Sequence, residues 1–247
     1  MFAGALFFTF QIYADFSGYS DIALGSARLF GIDLLRNFAF PYFSRNMAEF
    51  WRRWHISLSS WFRDYLYIPL GGSRGNMAMK IRNVLIIFIV SGFWHGANWT
   101  FIVWGFLNAL YVIPSVIFKS NRRNLDIVAQ GKIFPSVREL IAMAITFTLT
   151  TFAWIFFRSD NVAQAWFIIN RIFSSTFLIF PDILSKSLII TVVVFLVIEW
   201  IGREGQYAIE HWGIKLPRSL RWVFYYILAF AIFYYTGSKQ QFIYFQF

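Results

Sequence analysis

Cysteine is absent from the chain. That removes disulfides, thiolate metal sites, a cysteine nucleophile and cysteine lipidation together. Charge is scarce as well: charged residues make up 14% of the sequence, where a soluble domain carries roughly a quarter. Acidic residues are the rarer sign, 12 against 22 basic ones, and only three histidines occur, His55, His95 and His211. No HExxH pair is present, and the glycine-rich turn Gly71 to Asn76, "GGSRGN", lacks the spacing of a nucleotide-binding loop. A metalloprotease helix and an ATP cradle are therefore excluded, and no metal site is expected. There is no fixed-period repeat and no low-complexity tract. The first basic residue is Arg28, so the charged head of a secretory signal is missing, and the opening apolar run is expected to stay in the mature protein.

What fills the space is grease. Hydrophobic residues make up 58% of the chain, with 32 phenylalanines and 11 tryptophans, and the mean hydropathy is +0.56. A bilayer span needs about 20 mostly apolar residues. Candidates run from about 1 to 14, 81 to 97, 99 to 118, 139 to 157, 187 to 201 and 221 to 236. They leave too little chain for a separate soluble domain. The expected fold is an all-α membrane protein: a multi-span helical bundle with interfacial or re-entrant amphipathic helices around a central cavity, residues 1–247 forming one embedded unit. The net charge of +10 would suggest nucleic acid in a soluble protein. Here the basic residues fall between spans, in 119–138 and 203–221, which predicts cytoplasmic loops facing anionic lipid. No nucleic acid is expected as a partner, and His211, in the second loop, reads as an ordinary interfacial residue.

Residues Arg45 to Ile68 depart from plain hydropathy. At helical spacing Trp51, Trp54, Leu58, Trp61, Phe62 and Tyr65 share one face, while Glu49, Arg52, Arg53, Ser59, Ser60, Arg63 and Asp64 fill the other. The pattern predicts one amphipathic helix ending near Pro69, too polar to span, with His55 at the edge of the aromatic stripe. A second amphipathic stretch runs from Asp160, a candidate N-cap, to Ser175. Asp15 and Asp21 flank Gly18, where a helix break capped by the aspartates and serines is expected.

His95 stands in "SGFWHGANW", inside the greasiest part of the chain. An ionisable group at membrane depth is costly and usually faces a protein interior or a wet cavity. The residues leave three readings open: a satisfied core histidine, a catalytic base, or a polar station in the path of a transporter or channel. Gly92 and Gly96 are expected to clear space around the ring, and the serine and asparagine nearby supply hydrogen-bond partners. An imidazole in a site without cysteine is suited to removing a proton from a hydroxyl, so that an alcohol attacks an activated acyl group. Asn98, indole N–H groups or backbone amides near Gly96 would be donors for the oxyanion.

Several long stretches resemble the membrane-bound O-acyltransferase (MBOAT) family in its alginate O-acetylation branch: "FQIYADFSGYSDIALGSARLFGI", "FPYFSRNMAEFWRRWHISLSSWFRDYLYIPLGG", "SGFWHGANWTFIVWG" and the terminal "QFIYFQF". The resemblance is dense from about Phe7 to Tyr111 and implies that the chain corresponds to the C-terminal half of a longer protein. It implies that His95 is the catalytic histidine and His55 the second functional one, with Trp51, Trp54, Trp94 and Asn98 lining or supporting a substrate tunnel. It further implies a multi-pass protein of a bacterial inner membrane with no permanently bound cofactor. An acyl, expected to be acetyl, would come from a cytoplasmic thioester such as acetyl-CoA or an acyl carrier protein. An extracytoplasmic acetyltransferase-type partner and a polysaccharide acceptor would receive it.

Overall fold

The computed structural model describes residues 1–174, 186–214 and 216–234. The terminal "QFIYFQF", the last two residues of the sixth expected span, Ser175 and Lys215 lie outside them. The described residues form helices α1 (Phe2–Leu29), α2 (Met47–Arg53), α3 (Ile56–Phe62), α4 (Met77–His95), α5 (Trp99–Ile117), α6 (Val137–Arg158), α7 (Val162–Ile172), α8 (Lys186–Gly202) and α9 (Arg218–Tyr234), with no strand among them. Each expected span coincides with a helix. Three of these, α4, α5 and α6, are long and apolar enough to cross a membrane. The chain is an integral membrane protein.

Local sequence explains where the helices begin. Side chains of Asn46, Asn76, Asn98 and Asn161 each accept an amide N–H in the first turn of α2, α4, α5 and α7. Ser136 and Glu139 form a reciprocal capping box on α6. The cap of α7 is thus Asn161 rather than the expected Asp160, whose amide instead donates to the Gln164 side chain at 2.6 Å. The break expected at Gly18 does not occur, and α1 runs unbroken for 28 residues. One interior glycine costs a helix about 1 kcal/mol, and α1 is held along its length by the buried Phe8, Ile12, Tyr13, Phe16 and Leu24.

The core is a chain of helix contacts running from α4 to α5, α5 to α6 and α6 to α1. Two glycines set the α4–α5 spacing. A Cβ at Gly92 would lie 2.3 Å from the Phe101 carbonyl oxygen, and one at Gly105 would lie 2.2 Å from that of Phe88. Only glycine lets the two backbones approach this closely. Trp54, Trp104, Phe50 and Phe157 are fully buried between the helices.

Charge gathers at one end of the bundle. The Glu49 carboxylate, 0% exposed, accepts from the Arg45 amide and guanidinium and from Arg53. Arg45 reaches on to Asp126 and Glu139, holding the Asp126 carboxyl below the usual carboxylate range. Arg52 donates to the carbonyls of Asn121, Arg123 and Asn124. The polar face read for α2 therefore docks inside the protein: Arg45, Arg52 and Arg53 reach the loop before α6, while Glu49 and Glu139 pair with the arginines from α2 and α6 themselves. The two basic loops also meet here, where Arg203 donates to the carbonyls of Val128, Ala129 and Lys132.

Candidate active site

The single amphipathic helix expected over 45–68 is interrupted in its middle. Trp54 is extended and His55 adopts a left-handed conformation, φ 45° and ψ 57°, before α3 begins. Such a backbone is rare for a residue with a Cβ and persists only where its surroundings over-determine it. The segment around Asn37 supplies that determination. The Ile56 amide donates to the Asn37 carbonyl at 2.9 Å, and the Ala39 amide to the Arg53 carbonyl at 3.0 Å. The Asn37 side chain accepts from the Ser57 hydroxyl at 2.6 Å and from the Ser57 amide at 3.3 Å. Backbone groups freed by the break are thus satisfied by a neighbouring strand of coil.

This arrangement also assigns the His55 tautomer. Nδ1 of His55 lies 3.3 Å from Asn37 Oδ1. Because a backbone amide can only donate, the Ser57 N–H requires the oxygen of Asn37 at that position. The neutral His55 ring therefore carries its proton on Nδ1 and keeps Nε2 as acceptor. Burial pushes its pKa from 6.5 down to about 4, so the neutral form prevails at physiological pH. The ring packs edge-on against Phe16, centroids 4.6 Å apart.

His95 ends α4, and its ring is enclosed by aromatics: Trp94 at 5.0 Å, Phe157 at 5.0 Å and Trp104 at 5.2 Å between centroids. The glycines beside it have a different task from the one expected. Gly92 admits the α5 backbone, and a Cβ at Gly96 would come 2.7 Å from the Phe101 ring, so both bring walls inward rather than opening room.

A cavity of about 230 Å³ joins the two histidines. His55 and His95 both line it, with Trp51, Trp54, Trp104 and Trp154 around them. Ile87, Phe88, Ser91 and His95 line it from one stripe of α4, a rise of about 12 Å from first to last. Arg63 and Tyr67 also line it. The Trp51 indole is held by Asn108 Oδ1 at 3.3 Å, and Asn108 in turn donates to the Trp104 carbonyl.

Of the six residues singled out in the sequence, Trp51, Trp54, His55 and His95 come together on this cavity. Trp94 and Asn98 do not. The Trp94 side chain is 55% exposed behind His95. The Asn98 amide is committed to structure, its oxygen to the Thr100 amide and its nitrogen to the Asp160 carbonyl. The serine expected near His95, Ser91, does line the cavity, whereas sequence reasoning missed Asn37, Trp104 and Trp154. Ser91 and Trp104 sit in quoted motifs at helical spacing from residues already chosen. Asn37 and Trp154 carry no local signal, since their roles depend on contacts across the fold.

Comparison with known proteins agrees with the motifs. The family model described as MBOAT, membrane-bound O-acyltransferase family, matches residues 1–154. A protein named "Probable alginate O-acetylase AlgI" from Azotobacter vinelandii is 44% identical over 171 residues, 69% of this chain and 32% of that protein. A peptidoglycan O-acetyltransferase of Helicobacter pylori is 42% identical over 161 residues, 65% of this chain and 29% of its own length. A teichoic acid D-alanyltransferase of Bacillus subtilis is 30% identical over 159 residues, 61% of this chain and 39% of its own. The matched stretch thus spans about a third of the length of these relatives.

Proposed function

The chain belongs to the membrane-bound O-acyltransferase family, and from that premise we propose that its cavity is the acyl-transfer site of a membrane O-acyltransferase, with His95 as general base. One observation carries the reading: the histidines of two separate motifs line a single aromatic cavity. In the reaction, His95 takes the proton of an acceptor hydroxyl as its oxygen attacks the carbonyl carbon of a thioester. The new C–O bond forms, the C–S bond breaks, and the departing sulfur receives the proton from the imidazolium. Effective base catalysis needs the hydroxyl within about 3 Å of the ring nitrogen. His55, neutral with Nε2 as acceptor, is the second proton-handling group.

The acyl group is short. At about 230 Å³ the cavity falls below the roughly 300 Å³ where ordinary small-molecule pockets begin, which suits an acetyl group better than a fatty chain. The relatives named for acetyl transfer are also more similar than the one named for D-alanyl transfer. The basic end of the bundle is the cytoplasmic one by the positive-inside rule, in the inner membrane of a bacterium. Acetyl-CoA or an acyl carrier protein delivers the thioester from that side. The acceptor is a cell-surface polysaccharide, alginate-like, reached with the help of an extracytoplasmic transferase. A transporter is distinguished from this reading by the product, since transport leaves the polymer unmodified.

The test is mass spectrometry of surface polymer from cells carrying the longer parent protein with His95 intact or changed by His95→Ala. Loss of O-acyl groups with the protein still present in the membrane is expected. Unchanged acylation with His95→Ala would remove His95 from the chemistry.

A further inference from the structure

Ser91 brings to the aromatic cavity a hydroxyl that the described residues leave without a partner. It stands on α4, lines the cavity and is only 6% exposed. A serine or threonine inside a membrane helix commonly turns its hydroxyl back onto the carbonyl four residues earlier, because lipid offers it no partner. This chain follows that habit elsewhere: Thr9 donates to Ala5, Thr146 to Ala142 and Thr150 to Thr146, each at 2.9 Å, and Ser159 to Ile155 at 2.6 Å. Ser91 makes no such bond to Ile87. A buried hydroxyl left unbonded is costly, and one kept on a cavity wall points to a group that arrives there.

Neighbouring polar side chains on the wall already have protein partners. Trp51 donates to Asn108, Ser59 to the Trp54 carbonyl at 3.3 Å, and Arg63 to Asp64 at 2.7 and 3.0 Å. His55 is held at Nδ1 by Asn37. Asn98, expected as an oxyanion donor, is committed to Thr100 and Asp160. Ser91 and His95 lie four residues apart on one stripe of α4, about 6 Å along the axis, and side chains at that spacing are neighbours. A hydroxyl donor and an imidazole thus flank the same short length of cavity.

We propose that the Ser91 hydroxyl is the oxyanion donor of the acyl-transfer step, the group it takes being the carbonyl oxygen of the thioester. The assignment rests on the acyl-transfer reading above. As the acceptor oxygen adds to the carbonyl carbon and His95 takes its proton, the π pair of the C=O moves onto the carbonyl oxygen. Ser91 donates its O–H to that oxygen and keeps its own proton throughout. When the pair returns, the C–S bond breaks and the sulfur leaves with the proton of the imidazolium. A donor already fixed on a helix in an apolar site needs no reorganisation as charge develops, so it acts on the transition state more than on the bound substrate.

The experiment uses membranes from cells carrying the longer parent protein, with radiolabelled acetyl-CoA as the donor and label on surface polymer as the readout. The unchanged protein is compared with Ser91→Ala, Ser91→Thr and a control, Trp166→Ala, on the exposed side of α7. Ser91→Ala lowers kcat about 10²-fold with the KM for acetyl-CoA nearly unchanged, Ser91→Thr keeps most of the rate, and the control keeps it all. The thermal transition in detergent gives a second readout. Removing an unbonded buried hydroxyl leaves that transition in place or raises it, so Ser91→Ala loses activity without losing stability. A lower transition would make the hydroxyl a structural group, and an unchanged kcat or a rise in KM alone would show that it does not bind the oxyanion; any of these overturns the proposal. Transfer lost with His95→Ala but intact with Ser91→Ala removes Ser91 alone. Transfer that survives His95→Ala, or none by the unchanged protein, removes the acyl-transfer reading and the oxyanion role with it.

Discussion

His95 and His55 reach the same cavity from regions held together by different forces. Around His95 the structure is close-packed and apolar: glycines let α4 and α5 touch backbone to backbone, and rings close over the imidazole. Around His55 it is polar and specific, with a left-handed residue pinned by Asn37 and by hydrogen bonds to a neighbouring coil. The first kind of wall fixes a side chain by excluding alternatives, so it resists any change in volume. The second fixes a side chain by direction, so it tolerates volume but fails when one partner is removed.

That contrast is broken most sharply at the histidines themselves. On the acyl-transfer reading, steady-state activity should fall about 10²- to 10⁴-fold with His95→Ala, the range of a lost general base, with KM nearly unchanged. His55→Ala should cost less, and equal losses would mean that the two walls serve one indivisible function.

Next in size is the packed wall. Gly92→Val places a Cβ 2.3 Å from a carbonyl and should destabilise the protein by about 1–3 kcal/mol or more, seen as a lower thermal transition in detergent. An unaffected transition would show that the α4–α5 contact is soft.

The polar wall comes third. Asn37→Ala leaves the Ser57 amide without its side-chain acceptor and His55 Nδ1 without its partner, costing about 1–3 kcal/mol. Activity should drop while α4 and α5 keep their hydrogen-exchange protection, a separation that a purely global defect would not produce.

The last comparison concerns pH. The His55 pKa lies below its ordinary 6.5, at about 4, so the unfolded chain binds the proton more readily than the folded one. The stabilisation is fully present above pH 6.5 and is lost as pH falls towards 4. Thermal transitions measured from pH 7 to 4.5 should decline more steeply for the unchanged protein than for His55→Gln, and parallel curves would place the ring in water.

Much of this was legible beforehand, and particular residues show why. The positions of all six apolar helices follow from hydropathy, because a span must satisfy its own backbone hydrogen bonds. The helix starts were less legible: Asp160 was expected to cap α7 where Asn161 does, and Asn98, expected as an oxyanion donor, caps α5. The helical spacing of Trp51 and Trp54 placed both on one face, and both do reach the cavity. The break at His55 was not legible, because the amphipathic period continues through it and the cause, Asn37, lies 18 residues away. The burial of Glu49 was likewise hidden: its partners Arg45 and Arg53 lie within four residues, but Arg45 is itself held from afar by Asp126 and Glu139.

Composition and periodicity, which act over a few residues, determined by themselves that this is a helical membrane protein with two histidine motifs set in aromatic surroundings. Which groups meet was decided only in three dimensions: that His55 turns left-handed to share a cavity with His95, that Gly92 serves backbone contact, and that Ser91 joins the cavity wall. The physical reason is range. Hydropathy and capping are satisfied within a turn or a span, whereas a buried charge or an unsatisfied amide takes its partner from wherever the chain returns.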